Sequence, residues 1–191
     1  AHYLIAQVAD RSDNEATALV VCEKIQTLHP EHPSEIDLLH ARLLLTNGKP
    51  ARAAAVLKSA HQKHKSIVLR NAWIDAALSA KQISQVLPII EEELTSTRFR
   101  ASWLIRRARA NLATNTPGKV RSDLHSALQE LNTRILPDRP DLTLIADRGL
   151  ALALLGSKDL AQRDLTTLKN STLSKSSYTI LEAELQNMDH E

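Results

Sequence analysis

The chain has 191 residues, of which 43% are hydrophobic, 24% charged and 3% aromatic, and its formal net charge is +2 at pH 7. This near balance of charge removes any global electrostatic demand for nucleic acid or an anionic membrane, and the scarcity of aromatic residues disfavours a β-sandwich or barrel. The single cysteine, Cys22, excludes an internal disulfide and a multi-thiolate metal site, and the absence of an apolar run of about 18 residues predicts that no segment spans a membrane.

Apolar residues recur at intervals of three and four along the whole chain, which predicts a succession of amphipathic helices. No stretch alternates as a strand would, so the predicted fold class is all-α. The turn at Gly48, with Pro50 opening the next helix, carries the expected stop and start signals. Short turns imply that neighbouring helices are antiparallel. The predicted helix pairs cover residues 1–30, 34–64, 66–95, 100–133 and 141–170, and a last helix covers 174–188.

The turns inside these pairs recur with a near-constant period. They fall at Asp13, Gly48, Lys81, Asn115 and Gly156, which are 35, 33, 34 and 41 residues apart. Small side chains let two helix axes approach, and a larger apolar residue beside them fills the gap between pairs. Five positions after each turn stand Ala18, Ala53, Val86, Val120 and Ala161, and nine positions after it stand Cys22, Leu57, Ile90, Leu124 and Leu165.

This pattern resembles the tetratricopeptide repeat, a helix pair with a period of about 34 residues. The resemblance covers essentially residues 1–170, and its third unit is the most degenerate. Small residues are expected seven positions before the turn and twelve positions after it, but the third unit has Ile74 and Glu93 there. It implies a right-handed superhelix of about five antiparallel helix pairs, an α-solenoid, with residues 174–188 as a capping helix. We expect a single domain over residues 1–191 that is a fragment of a longer protein. A non-repeating helical bundle and another helical-pair solenoid remain as alternatives.

In the tetratricopeptide family, the first helix of each pair lines a concave groove that binds a partner. The resemblance therefore implies a protein or peptide partner, and the groove candidates are Leu38, Arg42, Asn71, Asp75, Ile105, Arg106 and Arg109. A subgroup of that family grips the C-terminal carboxylates of chaperones with Lys and Asn side chains. Asn71 could take part in such a clamp, but Leu38, Arg42 and Ser102 stand where other clamp residues are needed. We do not expect that specific activity.

The stretch from Leu94 to Ser122 carries seven basic residues and no Asp or Glu. Within it, Arg106 and Arg109 are three apart and share a helix face, whereas Arg107 points elsewhere. One hypothesis is a patch that binds an acidic peptide, a polysaccharide or nucleic acid. The alternative is that the acidic residues 91–93 neutralise part of the charge and the rest is a solvated face.

The sequence shows no constellation that is typical of catalysis. It has no Gly-rich phosphate loop, no nucleophile elbow and no His-Glu-x-x-His motif. Two pairs of histidines stand at positions 29 and 32 and at positions 61 and 64, whereas zinc needs three or four ligands. Glu31 lies beside the first of these pairs, but the stretch is predicted to be a loop between repeats, so we interpret both pairs as incidental surface residues. Cys22 lies in a packing column and is predicted to be a buried thiol. We therefore expect no enzymatic activity, no metal and no cofactor.

The favoured function is a protein–protein interaction scaffold that binds a peptide or partner protein, with an acidic partner as one option. Trp73 and Trp103 lie on apolar stripes and are predicted to be core residues, so they offer no stacking platform and nucleic acid is not expected. One alternative is a periplasmic scaffold in envelope or exopolysaccharide biogenesis that contacts an anionic polymer. Another is a regulatory helical domain of a larger enzyme or transcription factor. We expect a soluble chain, cytoplasmic or periplasmic, and leave its oligomeric state open.

Overall fold

The computed structural model describes residues 15–173 and 175–188, and within these ranges the protein is all-α, as the sequence predicts. Ten α-helices, two 3-10 helices and no strand occur in the described ranges, while the predicted helix over residues 1–9 lies outside them. The α-helices are α1 Glu15–Leu28, α2 Ser34–Thr46, α3 Pro50–His64, α4 Ile67–Ser79, α5 Ile83–Ser96, α6 Ala101–Ala113, α7 Val120–Arg134, α8 Leu142–Leu154, α9 Lys158–Lys169 and α10 Thr179–Met188. The 3-10 helices are Pro117–Lys119 and Lys175–Ser177. None of the helices in the described ranges is both long and apolar enough to cross a membrane.

Four turns inside the helix pairs share one backbone geometry. At Gly48, Lys81, Asn115 and Gly156 the φ angle is 66°, 58°, 54° and 81°. In each turn, the N–H of this residue donates to the carbonyl three residues earlier, and the next N–H donates to the carbonyl five residues before itself. Such a pair of bonds is the Schellman motif, which satisfies the last carbonyls of a helix. The periodic turns read from the sequence are therefore periodic in backbone conformation as well.

The two predicted packing columns are buried. Residues five positions after each turn are at most 7% exposed, and those nine positions after are at most 3% exposed. Cys22 belongs to the second column and is 0% exposed, which confirms that it is a buried thiol. Glu93, in the most degenerate repeat, is only half-buried. The pattern of small and large side chains therefore marks the helix crossings.

The chain divides into two compact units, residues 1–82 and residues 83–191. In the described part of the first unit, α1 packs on α2, α2 on α3 and α3 on α4, and α2 also contacts α4. Contact between consecutive helices, and between alternate ones, is the arrangement of a helical repeat array. The buried apolar cluster of α1 and α2 consists of Ala18, Cys22, Ile25, Ile36 and Leu43.

The second unit repeats this pattern and ends in a covering helix. Here α5 packs on α6, α6 on α7, α7 on α8 and α8 on α9, while α6 also contacts α8 and α10 contacts both α8 and α9. Gly149 on α8 permits this covering, because a Cβ there would lie 2.7 Å from the Leu181 side chain of α10 and 3.1 Å from Asp164 Cβ of α9. The boundary between the units falls inside the predicted pair 66–95. A single domain of five pairs stays a prediction.

Candidate partner-binding surface

The partner-binding candidates lie on helices that pack beside one another within each unit. In the first unit α2 contacts α4, and in the second α6 contacts α8. These are the first helices of successive predicted pairs. Each unit therefore has its own surface on which residues from two first helices lie close together.

The first unit brings together four candidates, all of them half-buried. Leu38 and Arg42 lie on α2, and Asn71 and Asp75 lie on α4. Arg42 and Asp75 both stand six positions before their turns, so the two helices contribute opposite charges at equivalent places. The side-chain oxygen of Asn71 is buried without a hydrogen-bond partner. This surface has no excess of charge of one sign.

The second unit separates its three candidates. Ile105 is 2% exposed and lies in the core, whereas Arg106 and Arg109 are half-buried on α6. The guanidinium carbon of Arg106 lies 4.9 Å from the ring centroid of Trp103, which is itself 6% exposed. A guanidinium held against an aromatic face is restricted in orientation. Arg106 is therefore positioned by the core beneath it.

Arg107 turns away from these two arginines, as its place in the sequence predicts. Its Nε and Nη2 donate to the two carboxylate oxygens of Asp123 on α7 at 2.8 Å and 2.7 Å, and its Nη1 donates to Glu91 Oε2 at 3.1 Å. The hydrogen bonds that Arg107 donates to Asp123 raise the pKa of Arg107, which stays charged in any case. The hypothesis that acidic residues neutralise part of the basic stretch is thus confirmed for Arg107.

The same ion pair recurs one repeat later. Arg148 on α8 donates from Nε and Nη2 to the carboxylate of Asp164 on α9, at 2.9 Å and 2.6 Å. Hydrogen bonding to Asp164 likewise raises the pKa of Arg148. In both pairs the arginine stands eight positions before the turn residue and the aspartate eight positions after it. Neither pair was predicted from the sequence, although the symmetric placement of Arg and Asp about the turn is visible there.

Other charges of the basic stretch are spread over different elements. The backbone N–H of Arg100 donates to Glu130 Oε2 at 3.0 Å, which joins the start of α6 to α7. Lys119 and Arg121 are exposed around the start of α7. On α8, Asp147 is half-buried at the position equivalent to Arg106. Among the first helices of the predicted pairs, α6 is therefore distinguished by the pair Arg106 and Arg109. The neighbouring first helix, α8, carries the carboxylate of Asp147.

Histidines of the first unit surround a buried carboxylate. Asp37 on α2 is 5% exposed, and around it lie the side chains of His32, 9% exposed, and His64, 24% exposed. The interpretation of the histidine pairs as incidental surface residues is therefore wrong for His32. His40, which sequence reasoning left aside, is 3% exposed and joins the same network through Gln26. No group of three His, Cys, Asp or Glu side chains in the described part of the chain is arranged to hold a metal ion.

Trp73 and Trp103 are 8% and 6% exposed, which confirms that both are core residues.

Comparison of the chain with protein-family models, with curated proteins and with solved structures finds no match. The functional assignment therefore depends on the geometry of the surface itself.

Proposed function

We propose that the chain is a protein-binding module of the tetratricopeptide-like class, and that the α6 face of the second unit binds an acidic segment of a partner protein. The recurring Schellman turns, the buried columns and the contacts between alternate helices support the repeat class. Repeat arrays of this kind use the faces of successive first helices as extended binding surfaces.

The observation that carries the proposal is the arrangement of three arginines on α6, two of which share one face of the helix. Arg107 is committed to Asp123 and Glu91 on one side of the helix. Arg106 and Arg109 lie together on another side, three residues apart. Guanidinium groups bind carboxylates through paired N–H···O bonds, so two neighbouring arginines favour a segment rich in Asp or Glu.

Nucleic acid fits this surface less well. Single-stranded nucleic acids are held by stacking on accessible aromatic side chains, together with a positive groove. Both tryptophans are buried, and Arg106 already covers part of the Trp103 ring. An acidic peptide needs only the guanidinium groups and a helical groove.

A fluorescent decaglutamate peptide tests the proposal with the full chain. Fluorescence anisotropy is measured at about 50 mM salt, where screening is modest. The expected result is that the double variant Arg106→Glu/Arg109→Glu binds at least about tenfold more weakly than the wild type, because two charge-assisted contacts become repulsive.

The matched control reverses two exposed charges elsewhere, in Lys119→Glu/Arg121→Glu. It changes the net charge by the same amount, so a weakening of less than about threefold is expected from long-range electrostatics alone. Equal weakening by the two double variants, or no binding to the wild type, would remove the α6 face as the binding site. Circular dichroism of both variants checks that the helices are intact.

A further inference from the structure

The carboxylate of Asp37 joins three successive elements of the first unit. Its Oδ1 accepts a hydrogen bond from Gln26 Nε2 of α1 at 2.7 Å, and lies 3.0 Å from His32 Nε2 in the turn between α1 and α2. Its Oδ2 lies 3.6 Å from His64 Nε2, at the end of α3. Both of these last two atoms are buried, and neither has a hydrogen-bond partner. The cluster therefore contains two buried polar atoms that face each other just beyond hydrogen-bond distance.

The same carboxylate determines the proton positions on its neighbours. Because Asp37 Oδ1 only accepts, the side-chain amide of Gln26 must present its NH₂ group to it, and its oxygen then faces His40 Nδ1 at 2.7 Å. His40 must donate from Nδ1, which leaves its buried Nε2 without a hydrogen bond. This arrangement suits a neutral imidazole, and desolvation by burial lowers the pKa of His40.

His32 is held differently, because both of its ring nitrogens face acceptors. Nδ1 lies 2.9 Å from the carbonyl oxygen of His29, and Nε2 faces the carboxylate of Asp37. A neutral imidazole has one N–H, so it can donate to only one of the two acceptors. Both contacts are hydrogen bonds only when the pair His32 and Asp37 holds one proton more than a neutral ring beside a carboxylate. The number of hydrogen bonds that His32 makes therefore depends on whether it carries the extra proton.

We propose that His32, Asp37 and His64 form a proton-sensitive latch that fastens the 29–33 turn and the end of α3 to α2. Uptake of one proton completes the hydrogen bonds of His32 and places a positive ring beside a buried carboxylate. Loss of that proton leaves two acceptor lone pairs facing each other, so the turn is held less firmly. Lys63 on α3 also donates to the carbonyl oxygen of Pro30, which gives the turn a further link to α3.

Several charged groups surround the latch and contribute to its electrostatics. On α1 and α3, Glu23 and Arg52 form an ion pair at 3.1 Å, and Glu23 also lies 3.9 Å from His40 Nε2. Lys63 Nζ lies 3.9 Å from Glu31 of the turn. The remaining charged or titratable groups on the turn, α2, α3 and α4 are His29, Glu35, Arg42, Lys58, His61, Arg70 and Asp75. Arg52 is 59% exposed and Glu31 is 93% exposed, so solvent screens both better than it screens Asp37.

Amide hydrogen exchange of α2 in the full chain tests the latch, because it reports local opening of the first unit. The substitution His32→Gln keeps a donor to Asp37 but removes the titratable proton. The wild type is expected to be about tenfold better protected than this variant at about pH 5.5, which is the value of a charge-assisted hydrogen bond. That advantage is expected to be lost once the ring is neutral, because His32 then makes only one of its two hydrogen bonds.

A control and a ring spectrum make the test decisive. His125→Gln, at an exposed position of α7, is expected to leave the protection of α2 unchanged at every pH. Heteronuclear NMR of the wild-type imidazole rings records the protonation state of His32 at each pH, so that the change in protection can be compared with it directly. A ratio of protection that stays constant while the His32 ring titrates would overturn the latch, and so would equal pH dependence in His125→Gln.

Discussion

Arg107 on α6 and Asp123 on α7 form a two-bond ion pair, with donor–acceptor distances of 2.8 Å and 2.7 Å, that spans the turn at Asn115 symmetrically. Arg148 and Asp164 form the same pair about the turn at Gly156. Two repeats with little sequence in common thus use one polar clasp between their paired helices. The clasp complements the small-residue columns, because it adds a polar link between helices that the columns already hold together.

The substitution Asp123→Ala is expected to lower the free energy of unfolding by about 2–3 kcal/mol, since it leaves the partly buried Arg107 with only Glu91. Urea unfolding followed by circular dichroism measures this loss. Asp138→Ala, at an exposed loop position, is the control and is expected to change stability by less than about 0.5 kcal/mol. Equal effects of the two substitutions would show that the clasp contributes nothing.

The helix crossing at Ala53 gives a test of the repeat geometry. Ala53 is 0% exposed, so Ala53→Trp is expected to destabilise the first unit by about 3 kcal/mol or more through overpacking. Ala55 lies two residues further along α3 and is exposed, so Ala55→Trp is the matched control with an expected change below about 1 kcal/mol. Thermal unfolding of both variants measures the difference. A tolerated tryptophan at position 53 would mean that the crossing lies elsewhere.

The N-terminus of α8 depends on one capping residue. Asp141 Oδ1 accepts from the backbone N–H of Thr143 at 2.9 Å and from its hydroxyl at 2.6 Å, and the hydroxyl contact is the main cause that lowers the pKa of Asp141. Asp141→Ala is expected to cost about 1 kcal/mol at pH 7. A lowered folded-state pKa means that this contribution is present above the ordinary Asp pKa and is lost as the pH falls through the folded-state value.

Urea unfolding of the wild type and Asp141→Ala at neutral and acid pH checks this prediction. The difference between the two proteins is expected to shrink on acidification, when the wild-type carboxyl becomes protonated. Thr143→Ala removes the hydroxyl donor but keeps the backbone N–H, so it is expected to lose about half as much stability as Asp141→Ala. A difference that is independent of pH would argue against capping by the carboxylate.

Acid is expected to destabilise the first unit through His40, whereas it is expected to strengthen the latch. Because burial lowers the pKa of His40 below its ordinary value of 6.5, the unfolded chain binds the proton more readily than the folded one. The stability it contributes is therefore complete above pH 6.5 and is lost as the pH falls towards the folded-state pKa. His40→Gln is expected to remove this loss, and exchange protection of α2 relative to the wild type between pH 5 and 7 measures it. A wild-type advantage that does not fall with acid would contradict a buried neutral His40.

Much of the fold was predictable because its signals are local and repeated. Gly48, Asn115 and Gly156 are residues that accept positive φ at little cost, so three of the four turns carry their own marks. Lys81 carries no such mark and could be placed only by its distance from the others. The division into two units was not predictable, because its boundary falls inside the predicted pair 66–95 and the period carries no sign of it.

The candidate surface was predictable only in outline. Periodicity placed Arg106 and Arg109 on a common face, but Ile105, beside them in sequence, proved to be a core residue. The position of Asp37 amid histidines depends on three elements meeting at one point, and no local pattern encodes such a meeting. Polar clusters between helices could therefore be identified only from the structure.

Binding of an acidic segment on the proposed α6 face of the second unit can be measured by titrating decaglutamate into the ¹⁵N-labelled full chain and following the amide chemical shifts. The shifts are expected to cluster at Ser102, Arg106 and Arg109 and on the adjoining α8, while Lys119 and Arg121 change little. Shifts spread evenly over all basic residues, or confined to α7, would contradict this proposal.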